Sequence, residues 1–319
     1  MKLRRRHWSR QGAARWTSGV YSSLLASFLL AWAPILGKFA YRAGVDPLTL
    51  ASLRTVVAAA FLWVIYLAFW RKRIVIRWRA VGSCFLVGAI NGIGSLFYYG
   101  GLERLDASRA SLLGAMYPLW VVIFLAASGQ TIRRATLLHL GASLVGAVLV
   151  TSPWGSGNPA DFLGTMLMLA SAAVNGWYIV TGQWVLADVP SRSGTLYIMT
   201  GMAVTVVSAR LLGSGAGFER IPSLGWAAIG ALGLTTALSR MAMFFSLEKL
   251  GGAQTAVLSL IELALSLTLA FLFLGDRLIW YQWVGAVLLL GGGLLARHRV
   301  ERASDVYAPF DPMVSSTEY

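Results

Sequence analysis

The chain has 319 residues, 57% of them hydrophobic and only 13% charged, where an ordinary soluble domain carries about 25% charged residues. So few charges cannot cover a water-facing surface. The excess of 27 Lys and Arg over 13 Asp and Glu therefore reads as cationic flanks of a membrane protein, because no soluble domain remains to read a nucleic acid. Cys84 is the single cysteine, which excludes an intramolecular disulfide and a cysteine-based metal cluster. His7, His139 and His298 are scattered along the chain and build no metal site, and nothing implies a cofactor.

Residues 1–17 form a basic segment, opening MKLRRRHWSR. The apolar run that follows is too long for a signal-peptide core and lacks a clear small-residue cleavage site, so it is kept as a membrane helix. A hydrocarbon core about 30 Å thick needs roughly 20 apolar residues in a helix. Such runs predict ten helices, at 18–41, 48–70, 81–102, 107–127, 134–151, 161–186, 193–212, 224–248, 252–274 and 278–296. The breaks between them are short: AGVDP, RKRIVIRWR, SPWGSGNPAD and SGAGFERIPS. Residues 298–319 are expected to be a disordered cytoplasmic tail.

Cationic segments resist translocation. With the N-terminus inside, the inner segments hold roughly 18 Lys and Arg and the outer ones about 6, a bias that places both termini in the cytoplasm. Trp70, Trp78, Trp226, Trp280 and Trp283 fall near predicted helix ends, where amphipathic rings prefer the interface.

The chain repeats itself at an offset of about 145 residues. LERL at Leu102 to Leu105 returns as LEKL at Leu247 to Leu250, Trp32 meets Trp177, and Gly88 meets Gly233. With one residue of slippage, Gly129 and Gln130 meet Gly275 and Asp276. Five helices per repeat is an odd number, so the second half inserts upside down relative to the first. The expected fold is an all-α integral membrane protein of two inverted five-helix repeats, 18–151 and 161–297.

Two stretches then carry a resemblance. ASFLLAWAPILGKFAYRAGVDPLTLASLRTVVAA holds Trp32, an Asp46-Pro47-Leu-Thr turn and Arg54, and GLERLDASRASLLGAMYPLWVVIFLAASGQ holds Pro118. In order, and twice over, these features resemble the EamA-type permeases of the drug/metabolite transporter superfamily. The resemblance implies two five-helix domains and transport of small metabolites, often outward. It departs where the family often has glutamate, here Gln130 and Asp276, and where the family commonly has Glu-Pro, here Glu262 followed by Leu263. Leu263 keeps its backbone donor, so a kink at that point is not expected.

Polar residues inside the predicted helices fall on single faces. Gly88, Asn91, Ser95 and Tyr98 share one face, and their repeat mates are Gly233, Thr236, Arg240 and Met243. Thr255, Ser259, Glu262 and Ser266 form a second stripe, whose mate runs through Gly114 and Tyr117; Ser171, Asn175 and Tyr178 form a third. Lipid cannot satisfy such groups, so they face one another, in plain helix–helix hydrogen bonding, or line a shared solute cavity. Asn91, Ser95, Tyr98, Asn175 and Ser259 are the polar candidates for contact with solute. Trp32, Tyr117, Trp177 and Tyr178 are aromatic candidates for stacking on a planar solute or cation, set against ordinary packing.

Glu262 and Arg240 both lie deep in their predicted helices, at depths where they could meet. Intramembrane charges are expensive unless paired or hydrated. The pair is read either as a proton or solute-amine site exchanged with Arg240, or as a permanent structural ion pair. Arg54 either snorkels to water as an anchor or contacts a solute anion. Lys38 reads as snorkelling.

Together these readings predict a cell-membrane permease for a small polar metabolite, for example an amino acid or related compound, working by alternating access and exporting rather than importing. Its partners are the solute, the bilayer and, where Glu262 couples transport, a proton. A nucleotide-sugar or organic-anion exchanger is the alternative, favoured by the excess of intramembrane Arg and Lys. An enzyme acting on lipid is disfavoured, since no helix carries a Ser/His/Asp set, a carboxylate dyad or a His cluster.

Overall fold

Prolines set where the first helices start and break. In this computed structural model the described residues are 10–71, 74–128, 141–142, 144–146, 148–150, 159–185, 189, 191–213, 221–250 and 260–288. All regular structure among them is helical. The first predicted helix divides into α1 (Arg10–Ala31) and α2 (Ala33–Arg42), interrupted at Trp32. Pro34 has no N–H to offer the carbonyl of Leu30, and its ring crowds that turn. The predicted 107–127 helix divides the same way into α5 (Ala107–Gly114) and α6 (Tyr117–Ala127), around Pro118, whose missing donor would have met Gly114. Between these breaks lie α3 (Pro47–Phe69) and α4 (Trp78–Arg104). Pro47 opens α3 where its lack of an N–H is harmless, and the Asp46 carboxylate accepts from the Thr49 amide at 3.0 Å.

The second half continues with α7 (Pro159–Val185), α8 (Ser191–Leu212), α9 (Ser223–Leu250) and α10 (Leu260–Leu269). Leucine at 263 leaves the start of α10 regular, as expected without the proline. The distortion comes later: α10 widens into a π-turn, Ala270–Leu274, which ends at Gly275 with φ of 75°. That left-handed conformation suits glycine, which has no Cβ to clash. A further helical run covers 280–288.

Six stretches among the described residues are long and apolar enough to cross a bilayer: Thr17–Arg42, Pro47–Phe69, Trp78–Arg104, Ala107–Ala127, Asp161–Gly182 and Ser193–Leu212. Ile261–Leu274 is apolar but shorter, and α9 runs for 28 residues with Arg240 inside it. The protein is therefore an all-α, multi-pass membrane protein. Most of the predicted 134–151 helix, residues 252–259 of the ninth predicted helix and the last part of the tenth lie outside the described residues. So do residues 1–9, the 298–319 tail, Gln130, Thr255, Ser259 and all three histidines.

The two halves interleave. α4 packs along both α7 and α8, while α9 packs along α1, α2 and α3, and α3 lies against α8. This pattern is unchanged when each helix is replaced by its counterpart about 145 residues away. Small residues set the spacing, because helices in lipid associate by close van der Waals approach rather than by the hydrophobic effect. A Cβ on Gly88 would press on the Ile198 carbonyl and lie 2.9 Å from the Met202 amide nitrogen, and one on Gly201 would lie 2.8 Å from the Phe85 Cα. Gly233 abuts Val57 and the Arg54 carbonyl of α3 in the same way. Trp78 and Trp280, near helix ends, are exposed.

Candidate functional site

At about 100° per residue, the circumference of α4 can be mapped from its contacts. Gly88 and Gly92 face α8, Gly94 and Gly101 face α7, and Leu86 and Ile93 are exposed on the outer side. Asn91, Ser95 and Tyr98 occupy an arc of about 60° between the two packed faces, away from Leu86 and Ile93. On α9, Leu234 and Leu238 are exposed, Gly233 faces α3, and Thr236 and Arg240 lie one turn apart on the inner side.

Arg54 of α3 joins these two arcs. It is only 7% exposed. One Nη donates to Ser95 Oγ at 2.6 Å and the other to Thr236 Oγ1 at 3.4 Å. Its guanidinium carbon sits 4.5 Å from the centre of the Tyr99 ring, a cation–π contact strengthened by exclusion of water. Thr236 spends its own hydroxyl proton on the Leu232 carbonyl at 2.7 Å, which leaves its oxygen free to accept from Arg54. Tyr41 donates to the Tyr99 carbonyl at 2.8 Å, and the Tyr98 and Tyr99 rings meet edge to face at 5.2 Å. Snorkelling is thus corrected for Arg54: hydroxyls and an aromatic face solvate the charge inside the bundle, and the side chain does not extend to water. Lys38 is different, donating at an exposed site to the Glu103 carbonyl at 3.3 Å.

The ion pairs among the described residues are Arg104 with Glu103, Arg109 with Asp106 and Arg109 with Asp161, so neither Arg54 nor Arg240 is held by a carboxylate there. Glu262 lies on the inward face of α10 with Ser266, whose hydroxyl meets that of Ser111 at 2.9 Å. No ion pair joins Glu262 to Arg240 among the described residues. The permanent-ion-pair reading of these two residues is therefore not what this conformation holds.

Arg54 makes its hydrogen bonds among the described residues to Ser95 and Thr236, and other predicted residues have their own surroundings. Trp32 sits in the α1–α2 break with its ring 5.0 Å from Phe273 in the π-turn and 6.4 Å from Phe28, as packing. Tyr117 packs against Val121, Leu125 and Val180, and Tyr178 against Cys84, Val87 and Ile198. Asn175 is half-buried on α7, next to Gly176, where Trp120 of α6 comes against the backbone. Ser171, from the same predicted stripe, donates to the Gly94 carbonyl at 2.8 Å, which is helix–helix bonding. Trp177 is exposed on the outside of α7, and Ser259 is outside the described residues.

Sequence reasoning missed Tyr99 and Tyr41. Tyr99 was within reach, since it follows Ser95 by four residues on the same face; Tyr41 reaches Tyr99 only through the packing of α2 on α4. The Asp276 carboxylate, noted only as part of a repeated step, accepts from the Ser108 amide at 3.0 Å and caps α5 from the other half of the chain.

A family model described as "EamA-like transporter family" matches the chain twice, at residues 17–152 and 162–297. The chain belongs to the EamA-like transporter family. As a member, it is a multi-pass membrane transporter. It is similar to a Bacillus subtilis (strain 168) protein named "Uncharacterized transporter YcbK", 24% identical over 284 residues that cover 84% of this chain and 89% of the relative. An Archaeoglobus fulgidus protein named "Uncharacterized transporter" is 24% identical over 199 residues, 62% of this chain and 70% of that one. One crystal structure superposes with a TM-score of 0.61 at 20% identity, covering 90% of this chain and 99% of its own, which shows a shared fold.

Proposed function

We propose that this EamA-family chain is a secondary permease whose solute binds between two inverted five-helix repeats, 18–151 and 161–297, and crosses by alternating access. The observation that carries this reading is the meeting of polar arcs from both halves at Arg54: Ser95 of α4 and Thr236 of α9 bond the same guanidinium. Packing alone needs no such convergence, and burying it in lipid-surrounded helices is expensive unless a polar solute uses it. Interleaved packing that is symmetric under exchange of the halves supports the repeat, and an odd helix number per repeat supports its inversion. We place both termini in the cytoplasm, the protein in the cell membrane, and the solute among small polar metabolites, amino acids and their relatives included, moved outward. Glu262, unclasped by Arg240, is available to exchange a proton or a solute ammonium during the cycle.

Reconstitution into liposomes loaded with a library of small polar metabolites tests this reading. Wild-type protein is expected to release a subset of them faster than protein-free liposomes, with the rate lost in an Arg54→Gln variant that still folds. Release at the protein-free rate for every compound in the library refutes it.

A further inference from the structure

We propose that the interior around Arg54 is an anion site that takes a carboxylate or phosphate group of the solute. This rests on the permease reading for the word solute, but the site itself stands on separate observations. The buried side-chain polar atoms that lack a hydrogen-bond partner among the described residues are Arg54 Nε, Asn91 Nδ2, Trp120 Nε1 and Arg240 Nε. Every one is an N–H donor. Buried polar groups are nearly always partnered, and an orphan buried N–H is rarer than an under-used acceptor, so a set made only of unmatched donors calls for a group that accepts.

Three of the four donors lie together. Asn91 is one turn from Ser95 on α4, and Arg240 is one turn from Thr236 on α9, while Ser95 and Thr236 both bond Arg54. α3 and α9 run parallel, since Val45 abuts Gly225 near their starts and Trp70, just past the end of α3, meets Phe245. α4 follows α3 through a short turn and runs back, so Asn91 and Arg240 are displaced from Arg54 toward the same end of the bundle. The charges agree with the donors: the inner arcs carry two guanidiniums, Arg54 and Arg240, and neither is held by a carboxylate among the described residues. Arg54 is itself buried and braced by two hydroxyls and Tyr99, so its remaining N–H groups are held in place before any anion arrives.

The experiment is a stability titration of the full-length purified protein with acetate, inorganic phosphate, acetamide and methylammonium at equal ionic strength. Saturable stabilisation is read, because general salt effects do not saturate. Acetate, phosphate or both are expected to stabilise the wild type, the carboxylate and phosphate arms telling which anion the site prefers, while acetamide and methylammonium do not. Arg54→Gln should weaken that binding about 10- to 100-fold, as loss of a charged hydrogen bond does. Asn91→Leu, which removes an unmatched donor and should fold without difficulty, should weaken it about 3- to 10-fold. Equal stabilisation by acetamide or methylammonium, no saturable effect of either anion, or anion binding unchanged in Asn91→Leu would overturn the proposal. Failure of the permease reading looks different: anions bind as described, yet no solute moves in liposomes.

Discussion

Gly88→Ala adds one methyl at the point where α4 crosses α8. The new carbon would press on the Ile198 carbonyl, 2.9 Å from the Met202 nitrogen and 3.1 Å from the Gly201 Cα, all three of them backbone atoms. An unstrained contact needs about 3.5–4.0 Å, so the helices must part by roughly 0.5–1 Å. Side chains can swing aside, but helical backbone cannot, and overpacking of this kind costs about 1–3 kcal/mol. A gain of about 0.5–1 kcal/mol in helix propensity partly offsets it. Gly230→Ala is the control, because nothing lies within 4 Å of its added Cβ; it collects the propensity gain alone. The difference between the two variants therefore isolates the packing term at about 1–3 kcal/mol, measured as reversible unfolding in mixed detergent micelles. The same displacement carries Ser95 away from Arg54, so solute flux should fall further than stability does. If Gly88→Ala unfolds at the same point as Gly230→Ala, the close approach of α4 to α8 is wrong.

Asp276→Ala should remove the cap on α5 and lower stability by about 0.5–2 kcal/mol, although residue 276 lies 168 positions from Ser108; a change within error in the same unfolding assay would refute the cap. Glu262→Gln keeps the shape but releases no proton, so it should stay folded and bind solute while its flux ceases to respond to an imposed pH gradient. Gradient-driven accumulation by that variant, measured in proteoliposomes, would remove Glu262 from coupling. Cysteines introduced at Ser156 and Ser304 of a chain lacking Cys84 test orientation: an impermeant thiol reagent on intact cells should reach position 156 and not 304, and labelling at 304 would reverse the topology.

The class of protein was legible without any structure, because the membrane leaves little choice. Backbone groups in hydrocarbon must be satisfied within their own helix, so runs of apolar residues of sufficient length read directly as spans. Pro34 and Pro118 gave notice of breaks by removing a donor each, but these were not anticipated, since both halves of each broken helix remain apolar. The polar arcs of α4 and α9 were also visible, as residues spaced three and four apart must share a face. What periodicity cannot give is the partner of a face. Ser171 and Ser95 look alike on a helical wheel, yet one bonds a neighbouring backbone carbonyl and the other braces a buried guanidinium.

Composition, hydrophobic periodicity and the internal repeat thus determined by themselves that this chain is helical, lies in the membrane and is built twice. Tertiary structure alone decided that Arg54 is buried rather than snorkelling, that Tyr99 lies under it, that no ion pair joins Glu262 to Arg240 among the described residues, and that Asp276 caps the other half. The reason is physical. Burial in lipid and helix formation are local consequences of side-chain chemistry, repeated at every turn, whereas the fate of a charge depends on which groups from distant parts of the chain arrive beside it.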